Sequence, residues 1–197
     1  MAEVLYPTHP LETWAPALDE LSRAGLGLVV TLEPPVSAVD VRLDATGPGA
    51  DAFGRAVGTA LPLTPNTWTH TADGQIIWLS PDEWLVTAED SPPHELEDEL
   101  GWVLSAYDGA AVDVSAQRTA LRVRGHYARD LLSFGCSLDL RPTAFPRGSA
   151  AQTAVGQTAV LLLALGEQDL RLFVRPSFAG YLAEWILDAA QEYRPAG

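Results

Sequence analysis

Apolar positions along the chain switch between two spacings, and the switches mark the elements. Over residues 11–23, Trp14, Leu18 and Leu21 recur at the interval of a helix face, and Gly25 closes the segment. Residues 26–32 form a short apolar run ended by Glu33-Pro34-Pro35, which predicts a strand. Val39-Asp40-Val41-Arg42-Leu43 alternates apolar with polar, the period of a strand with one buried face. A helix is predicted over 51–61, after the turn Gly47-Pro48-Gly49. Strands over 75–79 and 84–87 follow, joined by Ser80-Pro81-Asp82-Glu83. Ser91-Pro92 predicts a helix start, a hydroxyl cap followed by proline at the first helical position. Glu95, Glu97 and Asp98 then suit its positive end, and Leu96, Leu100, Val103, Leu104 and Tyr107 give its apolar stripe. A strand over 111–114 ends this half.

The second half repeats much of the order. A strand is predicted over 119–123 and a helix over 126–134, closed by Gly135. A loop with Pro142, Pro146 and Gly148 leads to strands over 151–155, 158–165 and 170–174. The last helix starts at Ser177, and Phe178, Tyr181, Leu182, Trp185, Ile186 and Ala189 line one face of it. The pattern predicts an α+β fold: two ferredoxin-like units, each a mostly antiparallel sheet with helices on one face. The expected division is an N-terminal helix and strand (1–37), a first unit (38–117) and a second unit (118–197). The two units can stand apart or intertwine as one domain.

Composition narrows the function classes. With 197 residues, 47% hydrophobic and 19% charged, the chain can bury a core without disulfide or metal staples. All twelve basic residues are arginine, against 26 acidic ones. The absence of lysine excludes a Schiff-base or P-loop lysine, and the net charge of −14 argues against nucleic acid as a partner. The charge is uneven: residues 1–117 carry three arginines and 19 acidic residues, residues 118–197 nine and seven. The first ten residues lack the basic and apolar regions of a secretory signal. The longest apolar run, 159–165, is far short of the roughly 20 residues that a membrane span needs. The expectation is a cytoplasmic protein that does not enter a membrane.

Candidate chemistry is sparse. His9, His70, His94 and His126 share no ligand spacing and no evident orienting partner, so each reads as structural. The single Cys136 follows Gly135 at a helix C-terminus, which would raise rather than lower a thiol pKa, so it reads as a buried apolar group. No Gly-x-Gly-x-x-Gly turn or nucleophile elbow occurs, so no cofactor-binding, catalytic or metal-ligating residue is assigned. Trp78, Trp84 and Trp185 read as core, and Trp14 and Trp102 as core or interface. The strand at 118–124 is more informative. Leu121 and Val123 face one way, while Arg118, Arg122 and Arg124 face the other, and three guanidinium groups on one face require anions. The anions are either this chain's own carboxylates, a partner surface or an anionic ligand.

Several segments then resemble a known family. They are Gly-Thr-Ala-Leu-Pro-Leu-Thr-Pro-Asn-Thr (58–67), Trp-Leu-Ser-Pro-Asp-Glu-Trp-Leu (78–85) and Asp-Val-Ser-Ala-Gln-Arg-Thr-Ala-Leu-Arg-Val (113–123). Gly-Cys-Ser-Leu-Asp-Leu (135–140), Phe-Pro-Arg-Gly (145–148) and Val-Arg-Pro-Ser-Phe-Ala-Gly-Tyr-Leu (174–182) complete the set. In this order and spacing they resemble the gamma-subunit family of heterotetrameric sarcosine oxidase, over roughly residues 55–190. The resemblance implies a fold like that of folate-binding aminomethyltransferases. It also implies a complex that oxidises sarcosine to glycine, releasing hydrogen peroxide and, with tetrahydrofolate, methylenetetrahydrofolate. Alpha, beta and delta subunits are then the partners, and FAD, FMN, NAD, tetrahydrofolate and zinc sit on those subunits and not on this chain. The strand after Asp73-Gly74 lacks the carboxylate that assists folate chemistry in the aminomethyltransferases. Around Cys136, the Lys and Gln-Glu of the stand-alone folate-binding signature are missing. Both departures favour a small non-catalytic assembly subunit, with Arg118, Arg122 and Arg124 as the expected partner interface. The alternatives are a stand-alone folate-binding protein of the same superfamily and an acidic interaction protein of unrelated function.

Overall fold

Ten strands pair antiparallel into two five-stranded sheets, in the orders β1-β7-β10-β9-β8 and β3-β4-β5-β2-β6. The computed structural model describes residues 9–194, so the reading of the first residues as lacking a signal falls mostly outside the described residues. The strands are β1 (Val29–Leu32), β2 (Ser37–Arg42), β3 (Trp68–His70), β4 (Gly74–Ser80), β5 (Glu83–Ala88), β6 (Ala110–Asp113), β7 (Thr119–Arg124), β8 (Ala150–Val155), β9 (Thr158–Gly166) and β10 (Asp169–Val174). The helices are α1 (Ala15–Arg23), α2 (Pro48–Val57), α3 (Pro93–Leu104), α4 (Ala128–Ser133) and α5 (Pro176–Ala189). The antiparallel α+β organisation matches the expectation from the pattern.

The strand pleat sorts side chains into three cores. Leu121 and Val123 of β7 face α1, α4 and α5, together with Leu170, Leu172, Leu182 and Ile186. Val39, Val41, Trp84 and Val86 face α2 and α3, which contribute Phe53, Leu96, Leu100 and Leu104. The inner faces meet: Ala38, Ile77, Leu79 and Leu85 of one sheet pack on Ala120, Leu161, Leu163 and Phe173 of the other. The result is four layers, helices–sheet–sheet–helices. The sheets are tied by indole and amide donors as well. Trp68 Nε1 donates to the Ala164 carbonyl at 3.2 Å, and Gln152 Nε2 to the Leu79 carbonyl at 2.9 Å.

Local differences from the sequence reading have physical causes. Helix α2 starts at Pro48 rather than residue 51, because a proline ring suits the first helical turn. Helix α3 takes Pro92 as its cap residue and Pro93 as its first helical residue, with no side-chain cap. The Ser91 hydroxyl instead donates to Asp73 Oδ2 at 2.9 Å. The β1 strand, from the N-terminal segment, pairs with β7 of the second half and forms an edge of its sheet. Trp84 is fully buried, Trp14, Trp78 and Trp185 are partly buried, and Trp102 is 81% exposed on α3.

Candidate functional site

The pleat of β7 that sends Leu121 and Val123 into the outer core turns Arg118, Ala120, Arg122 and Arg124 toward the second sheet. The three arginines therefore share a face, as their spacing predicts, but they do not form one exposed strip. They lie along the seam between the sheets and meet different surroundings.

Arg122 lies toward the margin of the seam and is held by this chain's own carboxylates. Its Nε and a terminal nitrogen bind both Asp169 oxygens, at 2.7 and 2.5 Å, and Glu33 lies 4.0 Å away. The Asp169 hydrogen bond raises the Arg122 pKa further above its ordinary value. Arg171 of β10 stands across the pairing from Arg122 and is more deeply enclosed. It donates to Glu33 Oε1 at 2.8 Å and to Gln75 Oε1 of the opposite sheet at 2.7 Å. Its Nε is 2.6 Å from Glu33 Oε2, a close ion contact off the hydrogen-bond axis. An open cavity of about 430 Å³ adjoins this group, with His70, Asp73, Glu89 and Arg147 on its walls. Acidic and basic groups are mixed there, and the buried arginines are already paired. Arg124 lies at the exposed end, where its guanidinium donates to Thr31 Oγ1 at 3.3 Å.

Arg118 lies at the opposite end of the seam and differs. It is mostly buried, its Nε is enclosed without a hydrogen-bond partner, and no carboxylate among the described residues lies within 4.0 Å. Burial, with Arg175 nearby, lowers its pKa, while Asp40 and Glu83 pull the other way. A cavity of about 400 Å³ opens beside it, lined by Gln152, Thr153, Ala159, Leu161, Phe173 and Arg175 among others. Asp40 faces the same seam from β2. Burial, reinforced by the charge of Glu83 and a hydrogen bond to it, pushes its carboxyl up to about 6.

The remaining candidates meet varied surroundings. Cys136 is buried, with the Thr153 hydroxyl 3.7 Å from its sulfur. His9 accepts the Leu11 N–H at 3.1 Å and meets the Thr119 hydroxyl at 3.2 Å, so it fastens the N-terminal arm to β7. His70 stacks edge-on against Trp68, and His94 and His126 are exposed. Among the described residues, no group of three or more His, Cys, Asp or Glu side chains is placed to hold a metal ion. No described helix is long and apolar enough to cross a membrane.

Sequence reasoning missed Arg129, Arg171 and Arg175. Arg129 is buried and donates to the carbonyls of Glu167, Gly166, Leu140 and Phe145, fastening the loop between α4 and β8 to the β9–β10 turn. That loop contains the Ser-Leu-Asp-Leu and Phe-Pro-Arg-Gly stretches, and the one guanidinium reaches a carbonyl in each, Leu140 and Phe145. Arg171 and Arg175 flank Phe173 at period two, a signal present in the sequence and hidden by the apolar character of β10.

Comparison with known proteins follows the same lines. Residues 42–192 match the family described as sarcosine oxidase, gamma subunit. The sarcosine oxidase subunit gamma of Corynebacterium sp. (strain P-1) is 34% identical over 188 residues, 93% of this chain and 90% of the relative. That of an Arthrobacter sp. is 32% identical over 185 residues. A chain of the heterotetrameric sarcosine oxidase from Corynebacterium sp. U-96 superposes with a TM-score of 0.89 at 30% identity, covering 97% of this chain and 98% of that one. Aminomethyltransferase T of the glycine cleavage system from Bartonella henselae shares the fold, with a TM-score of 0.64 at 14% identity over 48% of its length. A family match over residues 42–192, relatives of 32–34% identity that cover 93% of the chain and a superposable chain of the same enzyme together show that the chain belongs to the sarcosine oxidase gamma subunit family.

Proposed function

We propose that this chain is the small, non-catalytic gamma subunit of a cytoplasmic heterotetrameric sarcosine oxidase. Alpha, beta and delta subunits are its partners. They carry FAD, FMN, NAD, tetrahydrofolate and zinc, and the complex converts sarcosine to glycine with release of hydrogen peroxide and formation of methylenetetrahydrofolate. The observation that carries this reading is the end-to-end likeness to one chain of such an enzyme. The internal chemistry supports the non-catalytic part: Arg122 and Arg171 are engaged by Asp169, Glu33 and Gln75. A general base needs an oriented partner and a reachable substrate proton, whereas His94 and His126 are exposed, with only a 4.0 Å approach of His94 to the exposed Glu95 and an edge-on contact of His126 with Tyr127. Arg118, Arg122 and Arg124 stay with the docking reading in graded form. Arg124 offers an exposed guanidinium at the end of an interior strand, Arg118 lines an open cavity, and Arg122 holds the seam that carries both.

The test is spectroscopic. The purified chain is expected to be colourless and unable to oxidise sarcosine. A flavin absorbance band that stays with it through denaturation, or turnover by the chain alone, would overturn the non-catalytic role.

A further inference from the structure

We propose that the cavity between Arg118 and Arg175 is a binding site for a carboxylate borne on an apolar body. Two guanidinium groups border one cavity, and no carboxylate among the described residues lies within 4.0 Å of either. The other enclosed arginines are matched: in the seam Arg122 by Asp169 and Arg171 by Glu33 and Gln75, and on α4 Arg129 by four carbonyls. Arg118 breaks that rule: its buried Nε–H has no acceptor and, unlike the Nε of Arg171 beside Glu33, no carboxylate against it. A buried donor left unmade costs free energy, and two like charges side by side cost more. An anion between them removes both penalties.

The surroundings select the kind of anion. Leu161, Ala159 and Phe173 give the cavity an apolar wall, which a fully hydrated phosphate would not use. Two forked guanidinium groups suit the planar oxygens of a carboxylate. Arg175 is the cap residue of α5, so the positive end of that 14-residue helix adds to the potential. The nearby Asp40 and Glu83 do not fill the role: both project from the opposite sheet and stay beyond ion-pair distance of Arg118, and Glu83 pairs with Arg42 at 2.9 Å. The carboxylate comes either from a small molecule or from an acidic side chain or chain end of a neighbouring subunit, and the chemistry is shared. This inference rests on the cavity and not on the subunit assignment.

The probe is benzoate, with benzamide as its uncharged counterpart, titrated calorimetrically into the purified full chain and into the assembled complex. Wild type is compared with Arg118→Gln and Arg175→Gln, and only binding that these substitutions remove is counted. Saturable benzoate binding is expected, weakened about ten- to hundredfold by either substitution, with benzamide not binding. Arg175 is exposed, so Arg175→Gln keeps the test valid if Arg118→Gln does not fold. Binding to chain and complex alike identifies a small-molecule site. Binding to the free chain that assembly abolishes identifies a neighbouring subunit's carboxylate. No saturable binding to wild type in either form, or equal binding by Arg175→Gln, overturns the proposal.

Discussion

Asp40 shows how a single residue reports the seam. Burial between the sheets is the main reason its carboxyl titrates near 6, with Glu83 adding to the shift and Arg42 and Arg118 opposing it. In the unfolded chain the same carboxyl ionises near 3.8. A folded-state pKa above the unfolded one means that the folded state holds the proton longer. Its contribution to stability is therefore present below about pH 4 and is lost as pH rises to about 6. Asp40→Asn removes the titration and keeps a donor for Glu83. Its stability relative to wild type is expected to rise between pH 4 and pH 7, measured by urea unfolding at a series of pH values. A difference that does not change with pH would contradict this. In the sequence, Asp40 is simply the polar position of an alternating strand. Nothing in that pattern says that its polar face meets a second sheet instead of water, so the consequence for its pKa was not legible.

At the scale of elements, strongly periodic segments were legible and weakly periodic ones were not. The stripe on α5 gave the helix and the centre of its buried face, since Leu182 and Ile186 are fully enclosed, but Phe178 and Tyr181 of the same stripe are exposed and Ala183, outside it, is buried. The three-residue β3 gave no signal because Trp68-Thr69-His70 is too short to show a period. The start of α3 was misplaced by one residue because either of two prolines could open a helix. Trp185 illustrates contact between elements. Its ring lies where a Cβ on Gly135 would come within 2.5 Å, and it also flanks Gly156 of the β8–β9 turn. The indole thus joins α5 to the end of α4 and to that turn. Trp185→Ala is expected to cost about 3 kcal/mol in denaturant unfolding, the low end for aromatic truncation because the ring is partly exposed. If the isolated chain keeps its stability but no longer joins its partners, the indole is an interface anchor instead.

Across the whole molecule, the two sheets are joined by apolar packing with an ion cluster at its margin. Arg171 links β10 to Glu33, which follows β1, and to Gln75 on β4. Removing one partner of such a group leaves an uncompensated buried charge, so Arg171→Met is expected to destabilise the chain by about 3–5 kcal/mol. Adding Glu33→Gln should recover part of that loss. A double variant less stable than the sum of the two single changes would show that the cluster does not act as a unit. The sequence could not announce this cluster, because its members lie 33, 75 and 171 residues along the chain and meet only once the sheets stack. The family resemblance, by contrast, was readable, because each of its motifs is a short run of neighbouring residues, two of them in the loop held by Arg129.

Membership of a four-subunit enzyme is tested most directly by the native mass of the assembly formed when this chain is co-expressed with the three larger-complex genes of its source. One copy of the 21.1 kDa chain in a particle containing each of three other chains is the predicted result, with flavin absorbance and sarcosine-dependent peroxide release in the same peak. A flavin-bearing, sarcosine-oxidising particle that excludes this chain, which then runs alone, would contradict it.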